Sequence, residues 1–471
     1  MIRNHSRHGS RFPIATAAAS DPYWSSVSML LHGDGVNAAQ NNTFLDGSTN
    51  NFTVTRNGNT TQGSFNPFVS TYPYSVATNG GSAYFDGTGD YLTLADNAVF
   101  NLAANDFTIE CWINTPATVN SYVAGQADSS ITSLLSSFFI YVSTAGIPQI
   151  GVYSGATLYQ TISTIAISTN TWAHVAAVRN GTNIRIYVNG VQGAVTAVST
   201  NSVNDSPSSL AVGRLGDSVS GPYTGYISNF RLVNGTCLYP SGTTFTPPTA
   251  PLTAVTNTAL LLGMSNAAIF DNAELNNLET VASAQISTSV FKYGTGALKF
   301  NGTTDYLPTP AKTAFNVGSG DFTIECWVNT ASLVANQYVT GQGTSGFSDV
   351  SFYISIPTTG LVQSLVYNVG QSVNVIANSS IAITANSWFH IAMTRNGNTL
   401  RIYVNGVQGG TGDATGFTVN PSTSLLSVGS MGAYTTQPFN GYIDDFRFTK
   451  GICRYPSGTT FTPPTAAFPN S

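Results

Sequence analysis

Apolar residues recur at every second position along many short stretches of this 471-residue chain. Phe107, Ile109, Cys111 and Ile113 alternate with Thr108, Glu110 and Trp112, and Ile184, Ile186 and Val188 alternate with Arg185, Tyr187 and Asn189. A period of two is that of a strand with one face in a core and one face polar. Val175 to Arg179, then Asn180-Gly181, then Ile184 to Asn189 predicts a β-hairpin. In it the Asn-Gly pair supplies the two positive-φ residues of a type I′ turn. Asn396-Gly397 predicts the same hairpin again. Helical periodicity is nearly absent, with residues 267–280 the one candidate for a loop with a helical turn. Short alternating strands between Gly and Asn turns predict an all-β chain of antiparallel sandwiches.

The pattern occurs twice. Asp106-Phe-Thr-Ile-Glu-Cys-Trp112 returns at Asp321 to Trp327, and Trp172-Ala-His-Val returns as Trp388-Phe-His-Ile. Arg185-Ile-Tyr-Val-Asn-Gly-Val-Gln-Gly193 returns at Arg401 to Gly409, and Tyr239 to Ala250 returns at Tyr455 to Ala466. A period above 200 residues is too long for a solenoid unit, so each copy is expected to be a domain. Each copy closes on Thr-Pro-Pro-Thr-Ala, a stiff connector because Pro-Pro continues neither a ladder nor a helix. The expected organisation is an arm over 1–24 and sandwiches over 25–250 and 251–471, with the boundary near Pro251.

Charged residues make up 8% of the chain against a usual share of about 25%, so the surface is expected to be uncharged and polar. A net charge of -5 without clustered Lys and Arg argues against nucleic-acid binding. The exception is the start, where Arg3, Arg7 and Arg11 form a short basic arm suited to docking against neighbouring proteins. The Phe12 to Ala19 run after it is too short and Ala-rich for a membrane span and poor as a signal-peptide core. Four cysteines do not make a disulfide scaffold. Cys111 with Cys237 and Cys326 with Cys453 could each bridge one domain; reduced thiols are the expectation.

Phe85-Asp-Gly-Thr-Gly-Asp-Tyr-Leu92, Asp106 to Trp112, Trp172-Ala-His-Val, Arg185 to Gly190 and Gly225-Tyr-Ile-Ser-Asn-Phe-Arg231, in that order, resemble the concanavalin A-like, laminin-G-like jelly-roll domains. Phe300 to Leu307 and Gly441-Tyr-Ile-Asp-Asp-Phe-Arg447 repeat the likeness. The resemblance implies two antiparallel sheets per copy, with rim loops that commonly hold sugar or calcium. Leu30-Leu-His-Gly-Asp-Gly, with Asn50 to Gly58 and a Thr-Gln-Gly-Ser-Phe stretch, further resembles laminin-G-like proteins of tailed bacteriophage virions.

The hydrolases of this class set catalytic carboxylates along one strand, because retaining glycoside hydrolysis needs a pair about 5 to 5.5 Å apart. The four Glu here, Glu110, Glu274, Glu279 and Glu325, include no such run. His174 and His390 read as hydrogen-bonded imidazoles beside an indole. The expectation is therefore a non-enzymatic protein. Candidate calcium ligands are Asp86, Asp90, Asp305, Asp444 and Asp445, which serve equally as turn residues. Candidate sugar contacts are Tyr122, Gln126, Tyr153 and Tyr159, with Tyr338, Gln342 and Tyr367 in the second copy; Tyr141 and Tyr353 lie between the same Trp strands. The combined expectation is a virion structural protein on the particle surface, homo-oligomeric, without membrane or nucleic-acid partners, displaying two lectin-like jelly rolls to glycans. A secreted bacterial lectin and a divergent polysaccharide-cleaving enzyme are the alternatives.

Overall fold

The computed structural model describes residues 20–68, 74–344, 346–432 and 436–470. Arg3, Arg7 and Arg11 lie outside them. The chain forms two β-sandwiches with separate apolar cores, one centred on Phe85, Phe107, Ile109 and Val175, the other on Phe300, Phe322, Ile324 and Ile391. In the first, an eight-stranded sheet runs from Val191–Ala197 through Asn183–Val188, Ala173–Asn180, Phe107–Asn114, Thr224–Asn234 and Ser82–Asp86 to Thr61–Gly63. Thr258–Leu262 pairs beside that path. Its partner has seven strands, among them Ser121–Gln126, Phe138–Val142, Pro148–Ser154 and Thr157–Ile162. The second sandwich repeats this with eight and six strands, and every pairing between named strands is antiparallel.

The sheets do not respect the boundary at Pro251. Thr224–Asn234 closes the first sandwich, and its outer edge takes Thr258–Leu262, the strand that leads the second copy. Asn440–Lys450 closes the second sandwich, and its outer edge takes Val27–Leu31, the strand that leads the first copy. The repeats have thus exchanged their leading strands reciprocally. Each exchanged strand is clamped in the same way by the sandwich that receives it. Asp46 accepts from Leu261 N at 3.1 Å and Asn50 Nδ2 donates to Ala259 O at 2.8 Å. Correspondingly, Asp271 accepts from Leu30 N at 2.9 Å and Asn276 Nδ2 donates to Ser28 O at 2.8 Å. After each exchanged strand the chain crosses back, and Asn41 ties the two crossings together, donating to Ile269 O and Leu278 O and accepting from Ala268 N and Ile269 N.

The described ends meet on the second sandwich. Asp21 takes Arg454 in a bidentate pair, at 2.9 and 2.8 Å, and Arg447 at 3.0 Å. His32 bridges Asp445 at 2.5 Å and Asn470 at 2.6 Å. Residues 20–24 therefore belong to that sandwich, whereas the sequence assigns them to the arm.

The alternating strands face the core as expected, but their outer face is also covered. The segment after Asn234 folds back over the eight-stranded sheet, stacking Tyr239 on Phe245 at 3.6 Å above the fully buried Tyr187. Phe245 N bonds Gly190 O at 2.8 Å, and a Cβ at Gly190 would lie 1.9 Å from Phe245 O, so only glycine admits the tail. The positive-φ pair of a type I′ turn is also here, at Asn189-Gly190 (φ 49° and 77°) and Asn405-Gly406 (48° and 75°). It is not at the predicted Asn180-Gly181, where Asn180 stays in the strand and Gly181-Thr182 makes the turn. Residues 267–280 form an irregular crossing without helix.

All four cysteines are free thiols. Cys111 lies in the core, while Cys237 packs on the opposite face of the same sheet under the tail, so the sheet separates them.

Candidate functional site

Glu110 and Glu325 sit on the tail-covered face of the two eight-stranded sheets, fully buried, each at the centre of a matching network. Glu110 accepts from Arg231 Nε and Nη2 at 2.9 and 2.5 Å and from the Tyr239 hydroxyl at 2.7 Å, with His174 Nε2 at 3.1 Å. Glu325 accepts from Arg447 Nε and Nη2 at 3.1 and 2.8 Å and from the Tyr455 hydroxyl at 2.5 Å; His390 Nε2 lies 3.3 Å away. Burial raises each carboxyl's pKa, but His174 and Arg231 at Glu110, and Arg447 and His390 at Glu325, outweigh it and hold both below the usual range. The indoles of Trp112 and Trp327 lie 5.2 and 5.3 Å from the imidazoles. Each carboxylate is committed to side chains of its own fold; at Glu325 a second carboxylate, Asp21, joins through the shared Arg447 and is itself held by Arg454.

The candidate metal ligands occupy separate places. Asp90 accepts from Asn59 N and Asp86 N, and Asp305 from Ser283 N and Asn301 N, so both brace their turns. Asp86 accepts from Thr88 N in an Asx turn. Asp444 holds Lys292 N and Tyr293 N, while Asp445 holds His32 and Phe468 N. Among the described residues no three His, Cys, Asp or Glu side chains gather as metal ligands.

These carboxylates set a pH dependence. Burial pushes Asp271 and Asp90 up to about 6, with Asp86 adding to the effect at Asp90, and burial pushes Asp444 up to about 7. A carboxyl raised above its unfolded value binds its proton more tightly in the folded state, so stability grows as pH falls through these values. His32 acts in the same direction. Burial opposes its charge, but the Asp445 bond outweighs this and raises its pKa, so its contribution is lost as pH rises through that value. Glu110 and Glu325 oppose the trend only in stronger acid. The melting temperature is therefore expected to rise from about pH 8 to about pH 5 and to fall again below about pH 4. A melting temperature that is flat or declining between pH 8 and pH 5 contradicts this assignment.

The sugar candidates divide. Tyr122, Tyr141 and Tyr153 share the outer face of the seven-stranded sheet, half-exposed around Phe139 and Leu215, with the Tyr122 and Tyr141 rings 4.9 Å apart. Tyr338, Tyr353 and Tyr367 make the equivalent face of the second sandwich, where Tyr338 and Tyr353 are buried against Val350, Leu365 and Met431. Gln126 and Gln342 do not belong to either face. Each is buried, donating to Ser206 O and Ser208 O, or to Ser422 O and Ser424 O, which explains why their contexts match. Tyr159 turns against the core and its hydroxyl accepts from Asn201, while Leu158 and Ile162 of that edge strand point outward.

Sequence reasoning misses a cavity of about 420 Å³ at the seam between the sandwiches. The first sandwich contributes Phe65, Asn114, Asn170 and Tyr226, and the second contributes Leu275 and residues 311–314. Phe65 lies 4.7 Å from Tyr226 and 5.2 Å from Trp172, ring centre to ring centre. The Lys312 ammonium stands over both faces, 4.5 Å from Phe65 and 5.0 Å from Tyr226. The exchanged strand builds the second wall, since Ser28 Oγ donates to Ala314 O and Asp271 joins Leu30 N to Leu275 N. Asn277 Oδ1 accepts from Phe65 N and fixes the first wall.

A search of curated protein sequences returns no match. Domains LG4-5 of the mouse laminin alpha1 chain are similar at 14% identity, covering 82% of this chain and 93% of theirs, with a TM-score of 0.29. Domain 4 of an extracellular arabinanase from Geobacillus stearothermophilus, solved with arabinotriose, is similar at 16% identity over 38% of this chain and 86% of that one, with a TM-score of 0.30. A heptameric SAP-like pentraxin from Limulus polyphemus is similar at 13% identity over 42% and 93%, with a TM-score of 0.31. A family profile described as the concanavalin A-like lectin/glucanases superfamily matches residues 86–238 and 301–452, one stretch in each repeat. The chain belongs to the laminin-G branch of that superfamily, twice over.

Proposed function

We propose that the protein is a non-catalytic saccharide-binding module that lays sugar rings against Tyr122, Tyr141 and Tyr153. The observation that carries this is the patch itself: three half-exposed phenol rings on a rigid sheet, rooted on Phe139 and Leu215. Flat aromatic faces match the apolar face of a pyranose, and the phenol hydroxyls reach its hydroxyls. Membership of a superfamily named for lectins supports binding. The commitment of Glu110 and Glu325 to Arg, Tyr and His supports a module without bond cleavage. The virion-surface setting rests on the phage resemblance around Leu30 to Gly35 and on the basic arm as a docking segment, with homo-oligomeric display. Finding the protein in purified particles by mass spectrometry supports that setting, and its absence from them removes it.

On a glycan array the intact chain is expected to retain a defined set of saccharides. The Tyr122→Ala/Tyr153→Ala variant is expected to lose at least ten-fold in signal, as stacking contacts of about 1 kcal/mol each disappear. Equal retention by the variant overturns the patch assignment, and an array with no retained glycan overturns the binding reading.

A further inference from the structure

We propose that the seam cavity is a second saccharide site, distinct from the tyrosine patch, which takes a pyranose bearing one anionic substituent, a carboxylate or a sulfate ester. The proposal rests on the saccharide-binding reading and adds a ligand class to it.

The cavity has the size of a small-ligand site, about 420 Å³, within the usual range of about 300–1,000 Å³. It also has the required mixture of surfaces. The half-buried Phe65 ring, packed edge-to-face on Tyr226 at a 69° angle, gives the wall an apolar surface against which a sugar ring can lie. The Tyr226 side chain is 6% exposed, yet its hydroxyl has no hydrogen-bond partner. The Trp172 indole N–H beside Phe65 is likewise buried without one. The amides of Asn114 and Asn170 bond no described side chain or backbone group, which leaves them for further hydroxyls.

Lys312 gives the site its charge preference. It forms no ion pair among the described residues; its ammonium donates to Leu275 O and otherwise stands over the two rings. Burial lowers its pKa to about 8, and Asp271 is the acid acting on it. The carboxylate of Asp271 is itself occupied by Leu30 N, Ala273 N, Leu275 N and Asn276 Nδ2. A cation held in a partly dry site without a counter-ion favours an anionic ligand. The first repeat has Asn97 where the second has Lys312, and the seam occurs once, so one such site per chain follows.

The test is calorimetric titration of the full chain with methyl β-glucuronide, glucose 6-sulfate and methyl β-glucoside. At least one anionic probe is expected to bind ten-fold or more tightly than the neutral one, and comparing the two identifies the substituent. Lys312→Met is expected to erase that preference, and Asn170→Gly, at an exposed rim position whose φ of 54° glycine adopts freely, to weaken the anionic probe several-fold with the melting temperature nearly unchanged. Tyr122→Ala/Tyr153→Ala should leave it intact. Equal affinity for all three probes, or unchanged anionic binding in both Lys312→Met and Asn170→Gly, overturns the proposal. If the array glycans still bind in that case, the cavity assignment alone falls; if neither array nor titration shows binding, the saccharide reading falls as well.

Discussion

A chain lacking residues 1–31 is expected to lose its second sandwich while keeping its first. The deletion removes Val27, Met29, Leu30 and Leu31, all buried against the far repeat. At about 1.5–3 kcal/mol for each buried side chain, the loss is on the order of 6–12 kcal/mol, as large as the whole stability of a typical domain, about 5–15 kcal/mol. It also strips Asp21 from Arg447 and Arg454, leaving Arg447 to Glu325 alone and Arg454 without its bidentate partner beside an opened edge. The first sandwich keeps its own borrowed strand, Thr258–Leu262, and should still melt cooperatively. Circular dichroism of residues 32–471 should therefore show one native transition and one lost, and a peptide spanning residues 20–40 added in trans should restore the second. A truncated chain that melts like the full one shows that the strand contributes nothing there.

The second large effect is expected at Glu325. Replacing it by Ala leaves Arg447 with Asp21 as its one remaining carboxylate among the described residues, and leaves His390 and the Tyr455 hydroxyl facing a gap in a covered site. Breaking a buried pair by removing one partner costs about 3–5 kcal/mol when the remaining charge is left uncompensated, and the Asp21 contact places Glu325→Ala at the lower end of that range. Tyr455→Phe removes one hydrogen bond and should cost about 1 kcal/mol. Urea titration of the two variants is expected to rank them in that order, with Glu110→Ala costing more in the first sandwich than Glu325→Ala in the second, because Arg231 has no second carboxylate among the described residues. A Glu325→Ala protein as stable as the wild type would mean that Arg447 reaches water or another partner, and the network would lose its structural role.

The strands, the repeat and the sandwich class were legible in the sequence because each is local. Period-two alternation at Phe107 to Ile113 reports on its own neighbourhood, and Asn180-Gly181 marked the hairpin, although the type I′ pair itself falls at Asn189-Gly190. The exchange was not legible. Val-Ser-Met-Leu-Leu and Thr-Ala-Leu-Leu-Leu are both short apolar runs, and nothing in their periodicity says which closing strand they join. The Asp46–Leu261 and Asp271–Leu30 clamps that fix the choice span 215 and 241 residues. Gln126 and Gln342 show the opposite failure. Their matching contexts signalled shared structure, since each amide holds a loop that recurs in both repeats. The seam cavity escaped for the same reason as the exchange: Phe65, Tyr226 and Lys312 become neighbours only when the crossings lock the repeats together.

Because the exchanged strand supports one wall of that cavity, its placement underlies both the interlocked fold and the seam site. Disulfide cross-linking tests it most directly. Val27 lies opposite Thr449, whereas an unexchanged strand would set it opposite Val233, the partner Thr258 now occupies. Oxidation of the Val27→Cys/Thr449→Cys chain should yield an intramolecular disulfide found by peptide mapping, with none in Val27→Cys/Val233→Cys. The reverse result would place the leading strand back on its own repeat and dissolve the seam.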